Sequence, residues 1–121
     1  MNWYKIAQQV AFDPSEGIHQ VKLDQATLIY QVLGDRTVSL SSLRVPQKYR
    51  KRGQANAILS EFIKWLDREG LTSTLGASPL DKKTSPETLE QMYSNFGYSP
   101  TGRTINPLMD KEMKRDPEKN L

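Results

Sequence analysis

The chain has 121 residues, one histidine, no cysteine and a net charge of +3. That length makes one domain with room for a core, and the lack of cysteine excludes a disulfide framework, a thiolate metal site and a cysteine nucleophile. No apolar run approaches the roughly 20 residues that span a bilayer, and Met1-Asn-Trp-Tyr-Lys lacks the apolar stretch of a signal peptide, so a cytoplasmic location without a membrane partner is expected.

Residues 2–12 fit two patterns. Trp3, Ile6, Ala7 and Val10 suit a helix face, whereas Tyr4, Ile6, Val10 and Phe12 partly suit a strand; a short helix is the preferred expectation. Asp13-Pro14-Ser-Glu-Gly17 reads as a turn. Three strands are then predicted at 18–23, 27–33 and 37–45, the last two joined by a hairpin signal at Gly34-Asp35. The single histidine, His19, has no metal-ligand partner at useful spacing and reads as a surface or half-buried strand residue. No metal is expected.

A basic loop follows the third strand. Arg44, Lys48, Arg50, Lys51 and Arg52 fall within nine residues with no acid between them. Without those five, the chain carries 12 Lys+Arg against 14 Asp+Glu, a net of −2. The positive charge is therefore focused on one loop, not spread over a nucleic-acid-binding face. The loop closes on Gly53-Gln-Ala55 and runs straight into an amphipathic segment. That arrangement aims the free N–H groups and positive dipole end of a helix at a phosphate.

Ala55, Ile58, Leu59, Phe62, Ile63 and Leu66 form the apolar face of a helix over 55–69, with Glu61, Lys64, Asp67 and Arg68 opposite and Gly70 as C-cap. A strand at 71–77 completes a βαβ unit, so it should lie parallel to 37–45. After a loop at 78–83, Ser85-Pro86-Glu87 starts a second helix that carries Leu89, Met92, Tyr93 and Phe96 and ends at Gly97. Segments 98–101 and 108–114 read as a closing strand pair. Residues 1–115 are expected to form one domain, and 116–121 a frayed tail.

In this order the motifs resemble the GNAT superfamily of acyl-CoA-dependent N-acyltransferases. Leu43-Arg-Val45-Pro46 is similar to the end of that family's fourth strand. Arg50-Lys-Arg-Gly53-Gln-Ala55 is similar to its pyrophosphate loop, Q/R-x-x-G-x-G/A. Tyr93-Ser-Asn-Phe-Gly97-Tyr98 resembles its Y-x-x-x-G-F segment. The resemblance implies an α/β (α+β) fold: a mixed, mostly antiparallel sheet of about six strands, with a splayed central parallel pair and two main helices. It also implies acetyl-CoA as co-substrate. Backbone groups of Leu43, Arg44 and Val45 would hold the pantetheine arm. Arg50, Lys51, Arg52, Gly53, Gln54, Ala55 and Asn56 would hold the pyrophosphate. The Tyr93 phenol would serve the departing thiolate, and an N–H near Val45 the thioester oxygen. On the residues alone, Tyr93 reads as a core aromatic.

Three departures from the family bear on the acceptor. Only 17 residues precede Ile18, where members commonly carry a helical pair, so the acceptor side is expected to be reduced or completed by a partner chain, which leaves a homodimer open. The family's pantetheine-contacting asparagine is replaced by Pro86, with Ser78 or Ser85 as substitutes. Segment 37–45 has no carboxylate to act as base, which leaves Asp81 or water. The leading expectation is an N-acetyltransferase acting on an unidentified amine by direct attack in a ternary complex. The alternative is a non-catalytic acyl-CoA-binding regulatory module. Nucleic-acid binding is disfavoured by the −2 remainder and by the lack of an aromatic-studded basic face.

Overall fold

Six strands form one sheet: β1 (Gly17–Leu23), β2 (Ala26–Gly34), β3 (Thr37–Arg44), β4 (Thr72–Ala77), β5 (Ser99–Thr104) and β6 (Lys111–Arg115). Two helices, α1 (Gln54–Glu69) and α2 (Pro86–Ser94), and a 3-10 turn at Gln47–Tyr49 complete the fold. The computed structural model describes residues 11–49, 53–77, 86–104 and 111–117. The spatial order of the sheet is β1-β2-β3-β4-β6-β5. Only β3 and β4 are parallel; the other neighbours run antiparallel. Among the described residues no helix is long and apolar enough to cross a membrane.

The expected meander, crossover and closing pair are therefore present, with local differences. The β2–β3 turn is Asp35-Arg36, one residue beyond the Gly34-Asp35 signal. Both residues have positive φ (50° and 58°), as a two-residue hairpin that matches strand twist requires. The closing strands occupy 99–104 and 111–115, slightly later than expected. Residues 11 and 12 are not helical, and residues 1–10 lie outside the described part of the chain.

Alternation along the strands sends one set of side chains beneath the helices. Ala26, Leu28, Tyr30, Val38, Leu40, Leu75 and Met113 are buried there against Ile58, Leu59, Phe62, Trp65 and Leu66 of α1. Trp65 extends the helix face that periodicity had drawn without it. Phe12 stacks on the Trp65 ring at 5.2 Å between centroids and also packs against Tyr30 and Phe62. His19 is half-buried beside Tyr30, with Nε2 2.7 Å from the Ser15 carbonyl. The opposite face of the sheet is more open, and Ile18 and Leu33 are exposed on it.

Candidate functional site

The parallel pair opens part-way along its length. Pairing runs from Thr37↔Thr72 to Leu40↔Leu75, yet β3 continues to Arg44 and β4 to Ala77. The cause lies on the other side of β3. Tyr30 pairs with Leu40 and Ile29 with Ser42, so Ser41 is an extra residue in the β2–β3 ladder. A bulge bends its strand and sharpens the local twist. Here it falls immediately after Leu40, and from that point β3 stays with β2 as far as Thr27↔Arg44 while β4 stays with β6 as far as Ala77↔Lys111. The opening between β3 and β4 is the expected splay. Leu43 and Val45 face the core, partly buried, and Arg44 is exposed.

The chain leaves β3 through the 3-10 turn, where the Tyr49 N–H donates to the Pro46 carbonyl, and enters α1 at Gly53. Gly53 is the N-cap, left-handed at φ 76°, with no side-chain hydrogen bond capping the helix. A Cβ added there would meet nothing among the described residues within 4 Å. Glycine is thus favoured by conformation, not by crowding from those residues. Gln54 is turned away: its Oε1 accepts from the Gln25 N–H at 2.9 Å and ties α1 to the β1–β2 turn. Ala55 is half-buried and Asn56 exposed. Lys48 lies over the Tyr49 ring, 5.1 Å from its centroid. Arg50, Lys51 and Arg52 lie outside the described residues, as do Ser78, Asp81 and Ser85.

α2 ends on two tyrosines. Tyr93 is 9% exposed, and burial pushes its phenol up to about 12, so it is protonated at neutral pH. Its ring meets that of Tyr98 edge-on, 5.8 Å between centroids. Tyr98 is the more enclosed: its Oη lies 2.7 Å from Ser73 Oγ on β4, and burial raises its phenol further still. Between them, Gly97 has φ 96°, and a Cβ there would lie 3.0 Å from Arg115 Nε. Arg115, 4% exposed, donates to the Phe96 carbonyl at 2.6 Å and makes a bidentate pair with Asp67 of α1 at 2.7 and 2.9 Å. Asp67 was expected on the solvent face of α1. It is instead half-buried by this pair, which fastens the end of α2 to the last turn of α1.

Solved structures share this fold. The anti-CRISPR protein AcrVA5 is 21% identical at a TM-score of 0.64, over 81% of this chain and 97% of that one. An acetyltransferase of the GNAT family from Staphylococcus aureus Mu50 is 17% identical at 0.57, over 78% and 61%. The PaiA N-acetyltransferase from Thermoplasma acidophilum, in complex with coenzyme A, is 14% identical at 0.58, over 80% and 58%. This chain has the GNAT fold. It spans about three fifths of the length of the last two neighbours. No protein-family model matches it, and no curated protein does.

Within the GNAT fold, the candidate site residues come from widely spaced segments: the end of β3, the start of α1 and the end of α2. Sequence reading reached the first two and Tyr93. It missed Ser73, Asp67 and Arg115. One signal was available: Ser73 sits at an inward position of β4, beside Leu75, where alternation calls for an apolar residue. Nothing local marks Arg115, whose partners lie 19 and 48 residues away.

Proposed function

We propose that the protein is an N-acetyltransferase that transfers the acetyl group of acetyl-CoA to an amine by direct attack within a ternary complex. The observation that carries this reading is the succession of the β3–β4 opening and the uncapped start of α1. An open strand edge, an open glycine and unsatisfied helix N–H groups occur together where an extended arm ending in a pyrophosphate would need them. The likeness to an N-acetyltransferase in complex with coenzyme A supports it.

Gly53, Gln54, Ala55 and Asn56 would offer backbone N–H groups to the pyrophosphate, with Arg50, Lys51 and Arg52 adding charge. Backbone groups of Leu43, Arg44 and Val45 would line the pantetheine arm. Acetyl-CoA supplies an acyl group activated as a thioester. Tyr93 would then act at the sulfur, and its protonation decides how. A phenol near 12 facing a thiol of about 8.5 would donate a full proton uphill by roughly 5 kcal/mol. Tyr93 therefore holds its proton and donates a hydrogen bond to the developing thiolate, and the proton that ends on sulfur comes ultimately from the amine. The N–H near Val45 would meet the oxygen that gains charge as the amine adds.

The test is thermal denaturation with acetyl-CoA. A ligand that binds only the folded state raises Tm with concentration, and transfer to members of an amine panel should follow. No shift at millimolar acetyl-CoA overturns the reading.

A further inference from the structure

We infer that Tyr98, anchored by Ser73, is a positioning residue that fixes the orientation of the Tyr93 phenol; the inference rests on Tyr93 acting at the cofactor sulfur. The two hydroxyls are held differently. Tyr98 Oη and Ser73 Oγ are 2.7 Å apart in a pair that is almost wholly buried. The Tyr93 hydroxyl has no side-chain hydrogen bond among the described residues, and no fully buried side-chain oxygen among them lacks a partner. The Tyr93 ring is therefore enclosed while its polar tip reaches solvent. One tyrosine presents its hydroxyl, and the other spends its own inward.

Stability alone does not explain the inward pair. An apolar residue at 73 and phenylalanine at 98 would fill the same space, and replacing both partners of a buried hydrogen bond by apolar groups can be nearly neutral. What the pair adds is direction. It fixes the rotation of the Tyr98 ring against β4, and that ring is the edge on which Tyr93 rests. The backbone is fixed in the same place. Phe96 N–H and Tyr98 N–H both donate to the Tyr93 carbonyl, at 3.0 and 3.2 Å, and Arg115 holds the Phe96 carbonyl. With its main chain and one ring face set, the Tyr93 hydroxyl has little freedom, as a donor that must meet a reacting atom within about 0.5 Å requires.

The experiment uses coenzyme A itself as probe and needs no acceptor. The pH at which bound coenzyme A is half-maximally alkylated by iodoacetamide reports the pKa of its thiol. A hydrogen bond from Tyr93 to the thiolate lowers that midpoint. Tyr93→Phe should raise it by about one pH unit. Tyr98→Phe and, separately, Ser73→Ala should raise it by at least half as much, with the Kd for coenzyme A within about threefold of wild type. The double variant Tyr93→Phe/Tyr98→Phe should match Tyr93→Phe alone, because a residue acting through Tyr93 adds nothing once that hydroxyl is gone. Ser73→Ala keeps both rings and serves as the probe if Tyr98→Phe folds poorly. An unchanged midpoint in Tyr98→Phe and Ser73→Ala, beside a raised one in Tyr93→Phe, overturns the positioning role and leaves Tyr93 in place. Additive shifts in the double variant do the same. An unchanged midpoint in Tyr93→Phe overturns both.

Discussion

The two ends of α1 are finished in opposite ways. At the C-terminus every device points inward. Gly70 adopts φ 68°, its N–H donates to the Asp67 carbonyl, and the Leu71 N–H donates to the Leu66 carbonyl. Arg36, from the β2–β3 turn, donates to the Glu69 and Gly70 carbonyls, and Asp67 is held by Arg115. At the N-terminus Gly53 supplies no side chain, and among the described residues no side-chain cap bond forms and nothing fills the adjoining space. An N-cap in the extended conformation can carry serine, threonine, aspartate or asparagine, worth about 1 kcal/mol; the left-handed backbone at Gly53 forgoes that bond. One end is completed by the protein; the other has no side-chain cap among the described residues. The contrast teaches that an uncapped helix end says most about function when its counterpart on the same helix is fully satisfied.

The largest effect should come from breaking the closed end. Arg115→Met leaves the Asp67 carboxylate and the Phe96 carbonyl without their guanidinium. Loss of one partner of a buried pair costs about 3–5 kcal/mol, which urea unfolding would register, and Asp67→Leu in the same chain should recover part of it. A loss below about 1 kcal/mol would mean that the pair does not hold the two helix ends together.

The tyrosines beside that junction set an alkaline limit. Tyr93 and Tyr98 have phenols raised above 10.0 by burial. The folded state keeps protons that the unfolded state releases, so this stabilisation is complete below pH 10 and is lost as pH rises towards 12. By pH 11 the loss should reach about 1.4 kcal/mol for each of these two tyrosines, and Tyr98→Phe should remove one such share of the pH dependence. A flat stability profile from pH 9 to 11 would contradict the burial of both phenols.

At the open end, Gly53→Asp sets a carboxylate beside the start of α1, where the pyrophosphate would lie, on a left-handed backbone. Ligand-free stability should fall by about 1 kcal/mol. The acetyl-CoA shift, about 2.7 kcal/mol at a hundredfold excess over Kd, should disappear. A retained shift would place the pyrophosphate elsewhere. The smallest effect belongs to Arg36→Ala, which uncaps two carbonyls at the exposed closed end and should cost about 1 kcal/mol while leaving the acetyl-CoA shift intact. A changed shift would show that the two ends are not independent.

How much of this was legible in the sequence follows from the range of the forces involved. Periodicity located both helices and all six strands, because alternation and the 3.6-residue repeat record burial locally. Gly53 and Gly70 were marked as helix boundaries because a left-handed backbone favours glycine. Tyr93 stood out through its distance from Gly97 and Tyr98. The bulge at Ser41 was not legible: it depends on how two strands fall into register, and no residue type at 41 demands it. Neither was the Arg115 junction, since a guanidinium near the chain end and a carboxylate in α1 declare no partnership until the sheet brings β6 beneath the helix. The sequence by itself determined the elements, the focused charge and the open glycine. Only the tertiary structure decided that β3 parts from β4 at Leu40, that the Tyr98 hydroxyl turns inward to Ser73, and that Asp67 is half-buried, because each of these depends on contacts between segments that only folding brings together.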